Sequence, residues 1–325
     1  MPEKRCLIIR YGAYGDSIII SSIIKKLKED GYYVILDTTS RGLQVFQEDP
    51  NIDEFIKHDE DMSIHDTIEF WKNQKKSIKH DKYINFSESI EMNLALHHSD
   101  PLYWEPKYKR FDKCSKNYYE ESVRWAEIED CSLRPVIFFT DEEHKAAKEP
   151  LEEGKFNILW GLSGSGYNKL FPWAEYVMRD VLNKYPNVHF ITVGDEKCQQ
   201  LEFEHPRVTR LAGRIPMRLA MCMTGHVDLV VCPDTGLLHA SGAYDTPKIG
   251  LLGHTNIENI TKHFINDYSI EAKCACAPCF RLVYDQEVQC PMNPLTHSTW
   301  CLSEGISAEQ VFKQIKRVIN EHSSF

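Results

Sequence analysis

Cys6–Arg10 is an apolar run of strand length that hands over to the turn Tyr11-Gly12-Ala13-Tyr14-Gly15-Asp16 and then to a helical stretch from Ser17 to about Glu29. Past the helix-stopping Gly31 comes a second apolar run, Tyr33–Leu36. Strand, glycine turn, helix and strand in this order make a right-handed βαβ unit with parallel strands, so the chain opens like a Rossmann fold. The alternation returns in the second half: strand Phe156–Trp160, a loop, helix Trp173–Lys184, strand Val188–Val193, a helix near Glu196–Glu202 and strand Leu229–Val231 before another turn. The length of 325 residues fits two domains with a cleft between them. The expected division is an N-terminal Rossmann-like domain over 1–150, closed by the charged stretch Asp141–Lys155, and a C-terminal one over 151–305 that carries a cysteine-rich segment, 274–301. An amphipathic helix from Ser307, its N-cap, to Glu321 fills 306–325 and is expected to pack back towards the N-terminal domain. Asp49 to Leu133 shows no clear pattern beyond a helical stretch at Tyr118–Ile128.

Composition narrows the function classes. With 42% hydrophobic and 26% charged residues the chain buries an ordinary globular core. No apolar run reaches the roughly 18–20 residues that span a bilayer, and Met-Pro-Glu-Lys-Arg carries no signal-peptide pattern, so a cytoplasmic location is expected. In that compartment eleven cysteines read as free thiols or metal ligands rather than as a disulfide framework. A net charge of −10 lacks the basic field that unspecific binding to nucleic acid or an anionic membrane needs. Two local basic stretches stand out, Lys72, Lys75, Lys76, Lys79 and Lys82, then Lys107, Lys109, Arg110, Lys113 and Lys116, with Trp71, Tyr83, Trp104 and Tyr108 among them. They are either solvated helix faces or an acceptor site for an anionic glycan or other phosphorylated substrate.

Three turns sit where strands pass into helices. Gly12 and Gly15 let backbone approach a ligand at a helix start, where negative charge is favoured. Asp37, some 20 residues on, raises an NAD-binding reading, but the three-glycine fingerprint is incomplete and Asp16 would put a carboxylate where a pyrophosphate wants amides. Asp16 itself either caps the following helix or accepts a proton from an attacking hydroxyl. The loop Gly161–Lys169 offers amides, the hydroxyls of Ser163 and Ser165 and the ammonium of Lys169, a set suited to a diphosphate, without the Gly-Lys-Ser/Thr ending of a nucleoside-triphosphatase loop. Finally, Asp234-Thr235-Gly236-Leu237 follows a strand at the carboxyl edge of the sheet and can present amides to phosphate. Asp234 would fix that turn, and His239 either points back to the ligand or belongs to the core.

In this order the motifs resemble glycosyltransferase family 9, the heptosyltransferases that extend the lipopolysaccharide inner core. The matching positions are Arg10-Tyr11-Gly12-Ala13-Tyr14-Gly15-Asp16, Lys169-Leu170-Phe171-Pro172, Asp234-Thr235-Gly236-Leu237-Leu238-His239, Thr246-Pro247 and Gly253-His254-Thr255. The resemblance implies an α/β chain of GT-B architecture, two facing Rossmann-like domains with parallel sheets, the acceptor on the first and the nucleotide sugar on the second. It implies an inverting transfer of a heptose or similar sugar from a nucleoside diphosphate, ADP-heptose first among the donors, to a hydroxyl on a glycan, lipid-linked or protein acceptor. Asp16 would be the general base, Lys169 and the Asp234-Thr235-Gly236 turn would hold the donor phosphates, and Asp195 or Glu196 would meet the ribose. Lys169 and helix-start amides would stabilise the departing diphosphate without a divalent metal or a catalytic cofactor. A same-fold transferase acting on a protein or modified nucleobase, and an inactive nucleotide-sugar-binding module, are the alternatives.

Cys276-x2-Cys279-x10-Cys290-x10-Cys301 has the paired start of a chelating segment, and four thiolates suit a structural zinc or iron. Cys274 is a possible substitute ligand, and reduced thiols or a pair joined on oxidation are the other readings. Some members of the resembling family carry an iron-bound finger with a similar cysteine pattern.

Overall fold

The computed structural model describes residues 4–58, 64–88, 94, 96, 100–281 and 290–323. Two parallel sheets organise it. The first has β1 (Lys4–Arg10), β2 (Tyr32–Thr38), β3 (Glu54–Lys57) and β4 (Lys82–Asn85) in the order β3-β2-β1-β4. The second has β5 (Phe156–Gly161), β6 (Val188–Val193), β7 (Val208–Arg210), β8 (Leu229–Pro233), β9 (Lys248–Leu252) and β10 (Ile270–Glu271) in the order β10-β9-β8-β5-β6-β7. Counted from β5, this is the 3-2-1-4-5-6 order of a doubly wound nucleotide-binding fold. β5, β6, β8 and β9 are buried at every residue because both faces of a parallel sheet are covered, and the polar side chains among them, Asn157, His189, Thr192 and Lys248, are each hydrogen-bonded.

In each sheet the strand order reverses beside its first strand, and ligands of such sheets bind beyond the carboxyl ends at that point. The turns after β1, β5 and β8 all lie there. The two Rossmann-like halves therefore present the three glycine-containing turns from facing sheet edges.

The chain between residues 49 and 133 holds the expected helix, at Tyr118–Ala126, and beside it β3, β4 and the helices Ile64–Ser77 and Lys107–Cys114, which the sequence left unassigned. The expected helix from Ser17 starts earlier and is broken: Tyr14–Ile19, then Ser21–Glu29, joined at Ile20. Its start moves because the Asp16 carboxylate accepts the Ala13 amide, which brings Tyr14 and Gly15 into the first turn.

Two expectations about domain edges meet a different arrangement. The helix Asp141–Lys148, capped by Thr140 and Glu143, stacks on Met217–Met223 of the second half. Buried Arg218 binds it there, pairing with Glu143 and donating to the carbonyls of Gln44 and Phe138. The terminal helix Ala308–His322, capped by Ser307, does not return to the N-terminal domain. Its apolar face, Val311, Ile315, Val318 and Ile319, enters the core beneath β5 and β6 and packs on Ala174–Lys184, because that helix turns Val177, Val181 and Leu182 to the same side. No helix among the described residues is long and apolar enough to cross a membrane.

Candidate active site

The turn after β1 is built around a carboxylate. Gly12 has φ +124°, in the region glycine alone adopts easily, and a Cβ there would stand 2.6 Å from Asp16 Oδ2. With no Cβ in the way, Oδ2 accepts the Ala13 amide at 2.6 Å, while Oδ1 pairs at 3.1 Å with Arg10, whose side chain is 1% exposed. Arg10 is fixed in turn by the Phe86 carbonyl and the main-chain oxygen of Asp16. Asp16 thus caps its helix and still keeps 27% of its side chain exposed, so capping does not exclude proton transfer.

Across from it, the loop after β5 and the turn after β8 meet at Gly164. A Cβ at Gly164 would lie 2.7 Å from Lys169 Cδ and 2.7 Å from Thr235 Cγ2. Lys169 ends a short 3-10 turn, Tyr167–Lys169, and Thr235 is the N-cap of the helix Gly236–Ser241 but puts no side-chain oxygen on its first-turn amides. Ser163 is half-buried and Ser165 exposed on the same loop. Asp195 and Glu196 are exposed on the loop after β6; Asp195 caps the turn Glu196–Leu201 by accepting the Cys198 amide at 3.1 Å.

Asp234 faces inward. Its Oδ2 accepts from Thr255 Oγ1 at 3.1 Å, and the Nε2 atoms of His239 and His254 stand 3.5 Å from its two oxygens. Burial alone would push its carboxyl up, but Lys169 and the two histidines hold it well below the usual carboxylate range. Burial pushes His254 down to about 4 despite the neighbouring Asp234. An anion fixed beneath the turn leaves Lys169 and the helix-start amides as the groups suited to phosphate, with Asp234 holding them in place. His239 belongs to the packed junction between the halves: its Nδ1 is 2.8 Å from the Tyr119 hydroxyl and its ring lies against Gly15. A Cβ at Gly236 would likewise stand 2.7 Å from Tyr14 Cβ, so the two helix starts bearing Asp16 and the Asp234 turn touch.

Sequence reasoning missed Tyr119 and gave no role to Arg10, His254 or Thr255. The last three lie within the quoted motifs; Tyr119 reaches His239 from a distant helix, a contact that no local pattern encodes.

The second basic stretch is largely engaged in holding the chain together. Arg110, 1% exposed, donates to the carbonyls of Cys279 and Phe280, Lys107 to that of Ala277, and Lys109 and Lys113 pair with Glu105 and Asp100. In the first stretch Lys72 pairs with Glu69 and Lys75 lies over the Tyr83 ring.

The segment that Arg110 grips carries the cysteines. All eleven thiols of the chain are unpaired. Cys276, Cys279, Cys290 and Cys301 line one small cavity with Asn168 and His254, and Cys274 Sγ lies 3.5 Å from Cys276 Sγ. Burial raises the thiols of Cys276 and Cys301, each to about 12, and those of Cys279 and Cys290 as well. The donor set fits a thiophilic ion in kind. Its spacing is more open than the about 3.8 Å between sulfurs of a closed tetrahedral zinc site, since among the described residues no three of these sulfurs gather within 4.8 Å.

Residues 119–289 match the model of the family described as glycosyltransferase family 9 (heptosyltransferase). That stretch contains Lys169 and the Asp234 turn and leaves Asp16 outside. No curated protein matches the chain in sequence. Among solved structures, a glycosyl transferase family 9 protein from Veillonella parvula superposes with a TM-score of 0.69 at 14% identity, over 98% of this chain and 97% of that one. The ADP-heptose LPS heptosyltransferase II of E. coli gives 0.68 at 13% identity, over 98% and 100%. The dodecameric iron-containing heptosyltransferase TibC of enterotoxigenic E. coli, in complex with ADP-D-beta-D-heptose, gives 0.63 at 9% identity, over 99% and 77%.

Proposed function

The chain belongs to glycosyltransferase family 9, and from that premise we propose that this glycosyltransferase moves a heptose or similar sugar from a nucleoside diphosphate, ADP first among the candidates, to a hydroxyl acceptor with inversion. The observation that carries the reading is the single contact at Gly164 that sets Lys169 beside Thr235 at the switch point of the second sheet. That is where a diphosphate would find one ammonium and helix-start amides that the Thr235 side chain does not cap, and two heptosyltransferases of the same fold carry ADP-heptose in their descriptions.

In this reading the leaving diphosphate gains charge as the glycosidic bond breaks, and Lys169 with the Thr235–Leu237 amides stabilises it without a metal ion. Asp16, held by Arg10 across the cleft, removes the acceptor proton as the new bond forms. Asp195 or Glu196, on the next loop of the same edge, is the candidate for the ribose. A lipopolysaccharide core sugar is the acceptor that the family suggests. The cysteine cavity would hold a structural zinc or iron through Cys276, Cys279, Cys290 and Cys301, with Cys274 beside them.

The test is a screen of nucleotide sugars for thermal stabilisation, followed by transfer assays on the donor that binds. Lys169→Ala should weaken donor binding and Asp16→Ala should cut turnover while leaving donor binding intact, the loss of turnover being about 10²–10⁴-fold for a general base. Unchanged transfer in both variants would sink the assignment.

A further inference from the structure

Away from the cleft, one cluster of metal-ligating side chains has no part in the sugar chemistry. His144 comes from the helix Asp141–Lys148, Cys222 from Met217–Met223 and His226 from the turn just after it. His144 Nδ1 stands 2.9 Å from His226 Nε2 and 3.5 Å from Cys222 Sγ, and the three ligand atoms all lie within 4.8 Å of one another. The imidazoles cross at 88°, so their nitrogens converge edge-on instead of stacking.

We propose that His144, Cys222 and His226 form a zinc site that clamps the interdomain helix Asp141–Lys148 to the second half. With Zn–N of about 2.0–2.1 Å and Zn–S of about 2.3 Å, a tetrahedral ion sets N···N near about 3.3 Å and N···S near about 3.6 Å. The observed 2.9 and 3.5 Å lie within a few tenths of an ångström of these, and the third pair, Cys222 Sγ and His226 Nε2, lies within 4.8 Å and closes towards the same N···S value when the ion binds. Two imidazoles and a thiolate are a donor set that zinc prefers to calcium or magnesium, which take oxygen. Cys222 is fully buried and the two histidines half-buried, so the ion enters from the histidine side.

Binding balances simply. The Cys222 thiol proton leaves to solvent, and both imidazoles take the tautomer that frees His144 Nδ1 and His226 Nε2 as lone-pair donors. The surrounding charges are mixed: Lys148 lies close enough to act on Cys222 and His226, while Glu143 beside them is already engaged by Arg218. The site lies beside the Glu143–Arg218 pair, so the ion and the ion pair fix the same helix from adjacent turns.

The experiment uses full-length protein stripped with a chelator, checked for folding by circular dichroism, and titrated with Zn²⁺ and with Co²⁺ as a spectroscopic probe. Because the cysteine segment is a second candidate binder, Cys279→Ser serves as the background. In it, we expect one equivalent of Zn²⁺ and a thiolate-to-cobalt charge-transfer band, both lost or at least tenfold weaker in affinity after His226→Gln or His144→Gln. Two variants are used so that a folding failure of one leaves the other. Absence of that equivalent in folded Cys279→Ser protein, or its persistence unchanged in either folded histidine variant, would overturn the site.

Discussion

Gly15 lies edge-on to His239: a Cβ at residue 15 would stand 2.8 Å from the ring's Cδ2. The ring cannot yield easily, because its Nδ1 is held by Tyr119 and its Nε2 faces Asp234. The approach of the two sheet edges is therefore set by a missing methyl group. Gly15→Ala should separate the helix starts by a few tenths of an ångström, destabilise the protein by about 1–3 kcal/mol as overpacking does, and lower transfer more than donor binding. Urea unfolding and paired activity and binding assays check this; wild-type behaviour in all three would mean that the halves do not bear on each other there.

His254 and Asp37 give opposite acid responses, which makes each identifiable. His254 is depressed by burial to about 4, below its unfolded value, so the native state binds fewer protons. Its contribution is complete above about pH 6.5 and is lost as pH falls towards 4, by at most about 3 kcal/mol. Stability measured across that window should flatten in His254→Gln.

Asp37 is fully buried; it accepts the Tyr11 hydroxyl on Oδ1 at 2.8 Å, and its Oδ2 has no hydrogen-bond partner among the described residues. Burial raises its carboxyl to about 6, so the native state holds the extra proton. Here stability is complete below about pH 3.8 and falls as pH rises through 6, again by at most about 3 kcal/mol. Asp37→Asn should remove that slope whatever constant offset the amide brings, and an unchanged slope would assign the effect to another group.

The parts of this fold written locally in the sequence were legible. β6 spans the expected strand Val188–Val193, and β5 and β8 contain theirs, because a strand covered on both faces is dominated by apolar residues. Ser307 caps the last helix through a capping box with Gln310, a signal contained in four residues. β3 and β4 were not legible, since four residues carry too little periodicity. The terminal helix shows its apolar stripe in sequence but not which core the stripe will meet. The site divides the same way: glycine turns announce Asp16, Lys169 and Asp234, whereas the Tyr119–His239 contact and the engagement of Arg110 by the cysteine segment arise only when distant elements fold together.

Arg218 offers the sharpest test of how the halves are joined. Its side chain is 6% exposed and meets Glu143 with two nitrogens while donating to main-chain carbonyls of the first half and of the connecting chain. Glu143 keeps 23% of its side chain exposed, so water screens part of the charge that removing Arg218 would strand and the loss falls below the about 3–5 kcal/mol of a fully buried pair, whereas replacing both with apolar or neutral groups of similar volume is milder still. Arg218→Met should therefore be destabilising in urea unfolding, and Arg218→Met with Glu143→Gln should recover a substantial part of the loss. If the double variant were as unstable as the single one, the carbonyls of Gln44 and Phe138 left without a donor, and not the stranded carboxylate, would be the dominant cost.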